Sequence, residues 1–155
     1  MLSDPVAPDI MMLRPIWLGV LARARSGEIA PLLDDAPALA GYVVLRGPET
    51  GMAMTRGRIG GGGAVFNLGE ITISRCSVRD DAGFIGHGYA TGRDLRQVEL
   101  IARLDAALQN PATRQVFDRR VIQQLAAAEQ ARRGAIEAQA AQTNVDFFTL
   151  ATMRT

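Results

Sequence analysis

A chain of 155 residues, 48% apolar and 21% charged, can bury one core without disulfides or metal and is too short for a second full domain, so residues 1–155 are expected to form a single domain. That balance excludes a disordered chain, and a net charge of +1 argues against a general nucleic-acid binder, which concentrates basic residues on one face. One cysteine, Cys76, and one histidine, His87, rule out an internal disulfide and a conventional zinc cluster, and fit a reducing compartment.

Residues 1–9 are expected to be flexible, and Asp4 and Asp9 precede the first apolar stretch where a secretory signal would be basic. That stretch, 16–21, is interrupted by Gly19 and followed by Arg23 and Arg25. It falls far short of the roughly 20 apolar residues that span a bilayer, so no membrane association and a cytoplasmic location are expected. Met11 to Ile29 reads as an amphipathic helix with Leu13, Trp17, Val20 and Leu21 on one face. Pro15 lies early in it, where helices tolerate proline best, and a short helical turn follows over 29–35.

From Gly41 the pattern changes to β. Residues 42–46 and 52–58 predict two strands, joined by a turn at 47–51 and pairing antiparallel. Residues 64–66 and 71–79 supply a third strand, in which the apolar phase flips near Arg75 from Ile71 and Ile73 to Cys76 and Val78. A bulge there, or cover on both faces, would account for the flip. After a turn at 80–83, residues 84–91 form a fourth strand with His87 between Gly86 and Gly88. Asp94 is a natural N-cap for a helix to Gln109, with Leu95, Val98, Ile101, Leu104 and Leu108 on its stripe. Asn110-Pro111 stops it, and a last helix runs from about Thr113 to 141, its stripe thinning after Leu125, so that it packs weakly or needs a partner. The expected fold is α+β: an antiparallel four-stranded meander packed with one N-terminal helix and two C-terminal helices.

The candidate chemistry centres on 56–63. Arg56 and Arg58 precede Gly60, Gly61, Gly62 and Gly63, so backbone N–H groups laid bare by glycine could converge on phosphate oxygens while guanidinium groups pair with them. No Gly-Lys-Ser/Thr follows, the seventeen basic residues are all arginine, and the next element is a strand, which excludes a P-loop and a lysine Schiff base. A structural turn or an interface loop fits the same residues. Arg93 could reach a ligand over the sheet end, although Asp94 beside it needs only its capping role. Glu99 could pair with Arg96 or Arg103 on a solvated helix face. His87 could serve as a general base or as a hydrogen-bonded interface residue, and Cys76 reads as a small buried filler. The tail around Phe147 and Phe148 would be costly to expose and is expected to dock, on this domain or on another subunit.

The words RGRIGGGGAVFNLGEITISRCSVR, GHGYATGRD, LDAALQ and VDFFTL, together with GYVVLRGPETGMAMTRGRIGGGG upstream, resemble the PhnG family, the G subunit of the bacterial carbon–phosphorus lyase system of phosphonate metabolism. The resemblance covers nearly the whole chain. It implies a subunit acting with the H, I and L proteins to replace the adenine of ATP by a phosphonate, giving ribose 1-phosphonate 5-triphosphate, with the nucleosidase-like chemistry in the I subunit. It also implies that the I subunit is the first partner, with H, J and L in the same system. S-adenosylmethionine and an iron–sulfur cluster would belong to the J subunit, and no cofactor to this chain. Two positions depart from the family pattern: Gly62, where threonine is common, and Gln97, where histidine is common. A histidine acid–base role at position 97 is therefore excluded.

Overall fold

The computed structural model describes residues 8–34, 36, 39–58 and 63–142. Its elements are helix α1 (Pro8–Arg23), two single turns α2 (Ser26–Ile29) and α3 (Pro31–Asp34), strands β1 (Tyr42–Gly57), β2 (Phe66–Asp80) and β3 (Ile85–Thr91), and helices α4 (Leu95–Gln109), α5 (Pro111–Phe117) and α6 (Gln123–Gln142). A π-helical turn, Asp118–Ile122, joins α5 to α6. The architecture is α+β, with a three-stranded antiparallel sheet in the order β1-β2-β3.

The expected fourth strand is absent among the described residues because the two predicted at 42–46 and 52–58 are one. The segment Gly47-Pro48 does not reverse the chain; it makes a bulge. Pairing runs from Tyr42↔Asp80 to Arg46↔Ser77, skips, and resumes at Glu49↔Arg75 through to Gly57↔Phe66. Gly47 takes φ 71°, and a Cβ there would meet the Arg75 carbonyl oxygen at 2.6 Å, so glycine is required for this close approach. Glu49 clamps the bulge by accepting from Arg46 at 2.9 Å and Arg75 at 2.8 Å. The unbroken β2 supplies ladder partners for both halves of β1, which a local 42–58 hairpin could not do. The bulge that the phase flip near Arg75 suggested therefore lies in the neighbouring strand, and β2 itself pairs evenly with β3 from Ile73↔Thr91 to Arg79↔Ile85.

Alternation along the strands assigns the two faces. Ser74, Cys76, Val78, Gly86, Gly88 and Ala90 are buried and point toward α4. A Cβ on Gly86 would collide with the Ala102 carbonyl, and one on Gly88 with the Val98 carbonyl, so these glycines let the helix backbone lie on the strand. As a result α4 is buried almost all round, with Val98, Ile101, Ala102 and Leu104 at 0% exposure, whereas the amphipathic pattern predicts one stripe. Leu95, predicted on that stripe, is exposed.

The first helix ends at Arg23, shorter than predicted. Two interactions break it: the Arg25 N–H turns to the Glu28 carboxylate at 2.8 Å, and Gln97 Nε2 donates to the Ala24 carbonyl at 2.5 Å. Trp17, Val20 and Leu21 face the core as expected, but Leu13 does not. Leu13 lines a groove of about 430 Å³ between α1 and the α5 region, with Ile16, Trp17, Arg114, Gln115 and Ile122. Beyond Ala126 the last helix is largely exposed, tied down by Arg23–Glu129 at 2.6 Å and Arg132–Glu28 at 3.1 Å. Exposed ion pairs of this kind contribute little to stability.

Candidate interaction site

The chain divides its polar groups between a closed seam and an open arm. At the seam, Asp105 on α4 is fully buried. Its Oδ1 accepts from Arg14 Nε at 3.1 Å and Trp17 Nε1 at 2.9 Å, and its Oδ2 accepts from Arg14 Nη2 at 2.7 Å and the His87 backbone N–H at 2.8 Å. Gln109 Nε2 donates to the Ile85 carbonyl at 2.8 Å. Two side chains of one helix thus satisfy backbone groups on the free edge of β3, removing a site where another strand could add. Periodicity alone could not reveal this, because Asp105 reads as one more charge beside an apolar stripe.

His87 points to the opposite face, and its Nδ1 lies 2.8 Å from Ser77 Oγ across the β2–β3 ladder. With Arg14, Leu18, Gly19, Ala22 and Tyr89 it lines an open groove of about 500 Å³ between α1 and the sheet. Cys76 is buried, and burial pushes its thiol up, away from the thiolate a nucleophile requires. Glu99 does not pair with Arg96 or Arg103 but accepts a short hydrogen bond from the Tyr42 hydroxyl. Arg103 lies instead over the Tyr42 ring, 4.4 Å from its centroid. That bond, ahead of burial, raises the Tyr42 hydroxyl above its ordinary range.

Asp94 caps α4 through Gln97 N at 2.9 Å and also receives the Ser26 N–H at 3.3 Å. Burial pushes its carboxyl up, but the bonds from Ser26, Gln97 and Arg96 outweigh it and leave the group below the usual carboxylate range. Gln97 is buried with its amide on the Ala22 and Ala24 carbonyls. It ties the start of α4 to the end of α1.

The arm begins where β3 stops. Past the Ile73↔Thr91 pair, β1 and β2 continue alone as a two-stranded ribbon to Gly57↔Phe66. Its apolar residues face water: Met52 is 65% exposed, Met54 54%, Leu68 54% and Phe66 42%. Arg56 and Arg58 stand exposed near its end, as does Gly63, and neither arginine forms an ion pair with a described residue. Gly60, Gly61 and Gly62 lie outside the described residues, as do Phe147 and Phe148. Arg93 is exposed at the other end of the ribbon, where the Gly92 N–H donates to the Thr72 carbonyl. From Thr72 to Asn67, the partner of Arg56, the strand advances roughly 17 Å at the usual rise. The three arginines thus occupy two separate stations and do not converge on one point.

No helix among the described residues is long and apolar enough to cross a membrane. Residues 12–153 match the family described as phosphonate metabolism protein PhnG. A relative from Rhizobium meliloti (strain 1021), the alpha-D-ribose 1-methylphosphonate 5-triphosphate synthase subunit PhnG, is 43% identical over 134 residues, covering 84% of this chain and 83% of its own length. With nearly the whole fold inside the match, the chain belongs to the PhnG family of phosphonate metabolism proteins.

Proposed function

We propose that the chain is an accessory subunit of a synthase that forms alpha-D-ribose 1-methylphosphonate 5-triphosphate from ATP and methylphosphonate, acting with the I, H and L proteins. Its work is to bind and shape a partner. The observation that carries this reading is the β1–β2 arm. An isolated two-stranded ribbon is marginal in water, and this one exposes Met52 and Met54 two residues apart on β1, with Phe66 and Leu68 exposed near its end, apolar surface of the kind that marks interaction sites. β1 is also the outer strand of the sheet, open to addition of a further strand. The I subunit is the proposed occupant of the arm and the glycine loop, with the aromatic tail contributing to the same assembly in a cytoplasmic complex.

Co-purification tests it: the full chain and the I subunit should form a complex at micromolar concentration. Two soluble, folded proteins that stay apart at that concentration would sink the proposal.

A second reading rests on the exposed guanidinium groups of Arg56 and Arg58, which form no ion pair with a described residue and could hold phosphate oxygens beside Gly63 in a site shared between subunits. Arg56→Ala and Arg58→Ala would then weaken ATP binding by the assembled complex while leaving assembly intact. Loss of assembly with unchanged ATP affinity favours the accessory role.

A further inference from the structure

Among the described residues the sheet has a helical layer on one face only. Among the described elements α4 covers the inner face, while α1 reaches the flank of β3 alone and leaves the outer face in water. A two-layer domain ordinarily makes such a face polar. Here it is apolar and basic together, and the register sets out its rows.

In the first row, Val43, Arg79 and Ile85 stand side by side across three strands, with Val43 56% and Ile85 43% exposed. The second row places Arg46 next to Ser77 and His87, and the third places Glu49 next to Arg75 and Tyr89. Tyr89 is 53% exposed and forms one wall of the groove beside α1. Glu49 is the one carboxylate in these rows, already shared by Arg46 and Arg75 through a single oxygen, and Arg79 has no ion pair among the described residues. Three arginines against one carboxylate leave a surplus of two positive charges.

Exposed aliphatic groups, a half-exposed tyrosine beside a groove, and arginines in excess of carboxylates make up the composition of protein–protein hot spots. The charge decides the occupant. A symmetric contact with a second copy would set this face against itself, bringing Arg46, Arg75 and Arg79 against their own equivalents at a cost. A partner with the opposite charge meets no such penalty.

We propose that the outer sheet face seats a protein partner with an apolar centre and a surplus of carboxylates, Tyr89 acting as the anchor and Arg75 and Arg79 as the charge contacts. This rests on the accessory-subunit reading, and it adds a second surface, on a different face from the methionines of the arm.

The test uses the full chain co-expressed with the I, H and L proteins, read by affinity capture and by the dissociation constant of the recovered complex across a salt series. Arg79→Glu combined with Tyr89→Ala should weaken association by 100-fold or more and flatten its salt dependence. Arg79→Glu alone should weaken it about tenfold. Thermal melts of the free variants confirm that they fold, which the exposure of both residues favours. Unchanged affinity in folded variants would overturn this proposal and leave the accessory role standing. Failure of the wild-type chain to associate would remove both. A defined dimer of the free chain, abolished by the same substitutions, would assign the face to a second copy and refute the acidic partner.

Discussion

At the β3 end of the sheet, the free strand edge meets Asp105 and Gln109 of α4. Past Ile73, only β1 and β2 remain, and large apolar side chains face solvent. The same strand β2 runs through both regions. One region has its strand edge and its inner face completed within the chain; the other has its ladder but not its burial. A sheet whose inner face is closed at one end and bare at the other fits the proposed accessory role, in which a partner would bury the bare part.

The contrast is open to attack at several points, and the heaviest blow should fall on the seam. Asp105→Ala strips the partner from Arg14, Trp17 Nε1 and the His87 N–H, and should cost about 3–5 kcal/mol in urea unfolding of the free chain. Asp105→Asn, which keeps one acceptor oxygen, should cost less. A loss under about 1 kcal/mol for the alanine variant would mean that the seam does not hold α1, α4 and β3 together.

Next in size is Gly88→Ala, which pushes the α4 backbone off the strand and should cost about 1–3 kcal/mol. The matching change at the base of the arm, Gly51→Ala, meets open space and should stay within about 0.5 kcal/mol. Equal costs at the two positions would erase the distinction between the regions.

Loss of the Asp94 cap in Asp94→Ala should cost about 1 kcal/mol. The folded carboxyl lies below its ordinary value, so it adds stability above the unfolded value of about 3.9 and loses it as pH falls through the lower folded value. Wild-type chain should therefore weaken in acid over that window, and Asp94→Asn should show a shallower decline in melts recorded across it.

The smallest effect on the isolated chain belongs to the arm itself. Met52→Ser with Met54→Ser should change stability by no more than about 0.5 kcal/mol, yet abolish or sharply weaken capture of the I subunit. A large stability loss would show that the methionines already pack within the chain.

Much of the fold was legible because it depends on local rules. The Asp94 cap, the stop at Asn110-Pro111, the apolar spacing of α4 and the strand at 85–91 each follow from residues within a few positions of one another. The overall resemblance to the PhnG family was equally readable, since it resides in ordered words along the chain. The candidate site was only partly legible. Arg56 and Arg58 do stand exposed near the end of a ribbon, but Arg93 lies at its other end, and the basic, apolar rows around Arg79 and Tyr89 could not be assembled without knowing the register.

The sequence by itself determined broadly which segments are helical or extended, where α4 begins and stops, and the family. Only tertiary structure decided that 42–57 is one bulged strand, because its pairing belongs to β2, which follows after the glycine loop. It likewise decided that Asp105 is buried and that Gly86 and Gly88 admit a helix while His87 faces the other way. Alternation sets side chains on two faces, but which face receives α4 depends on contacts between residues distant in the chain, and no local pattern encodes that choice.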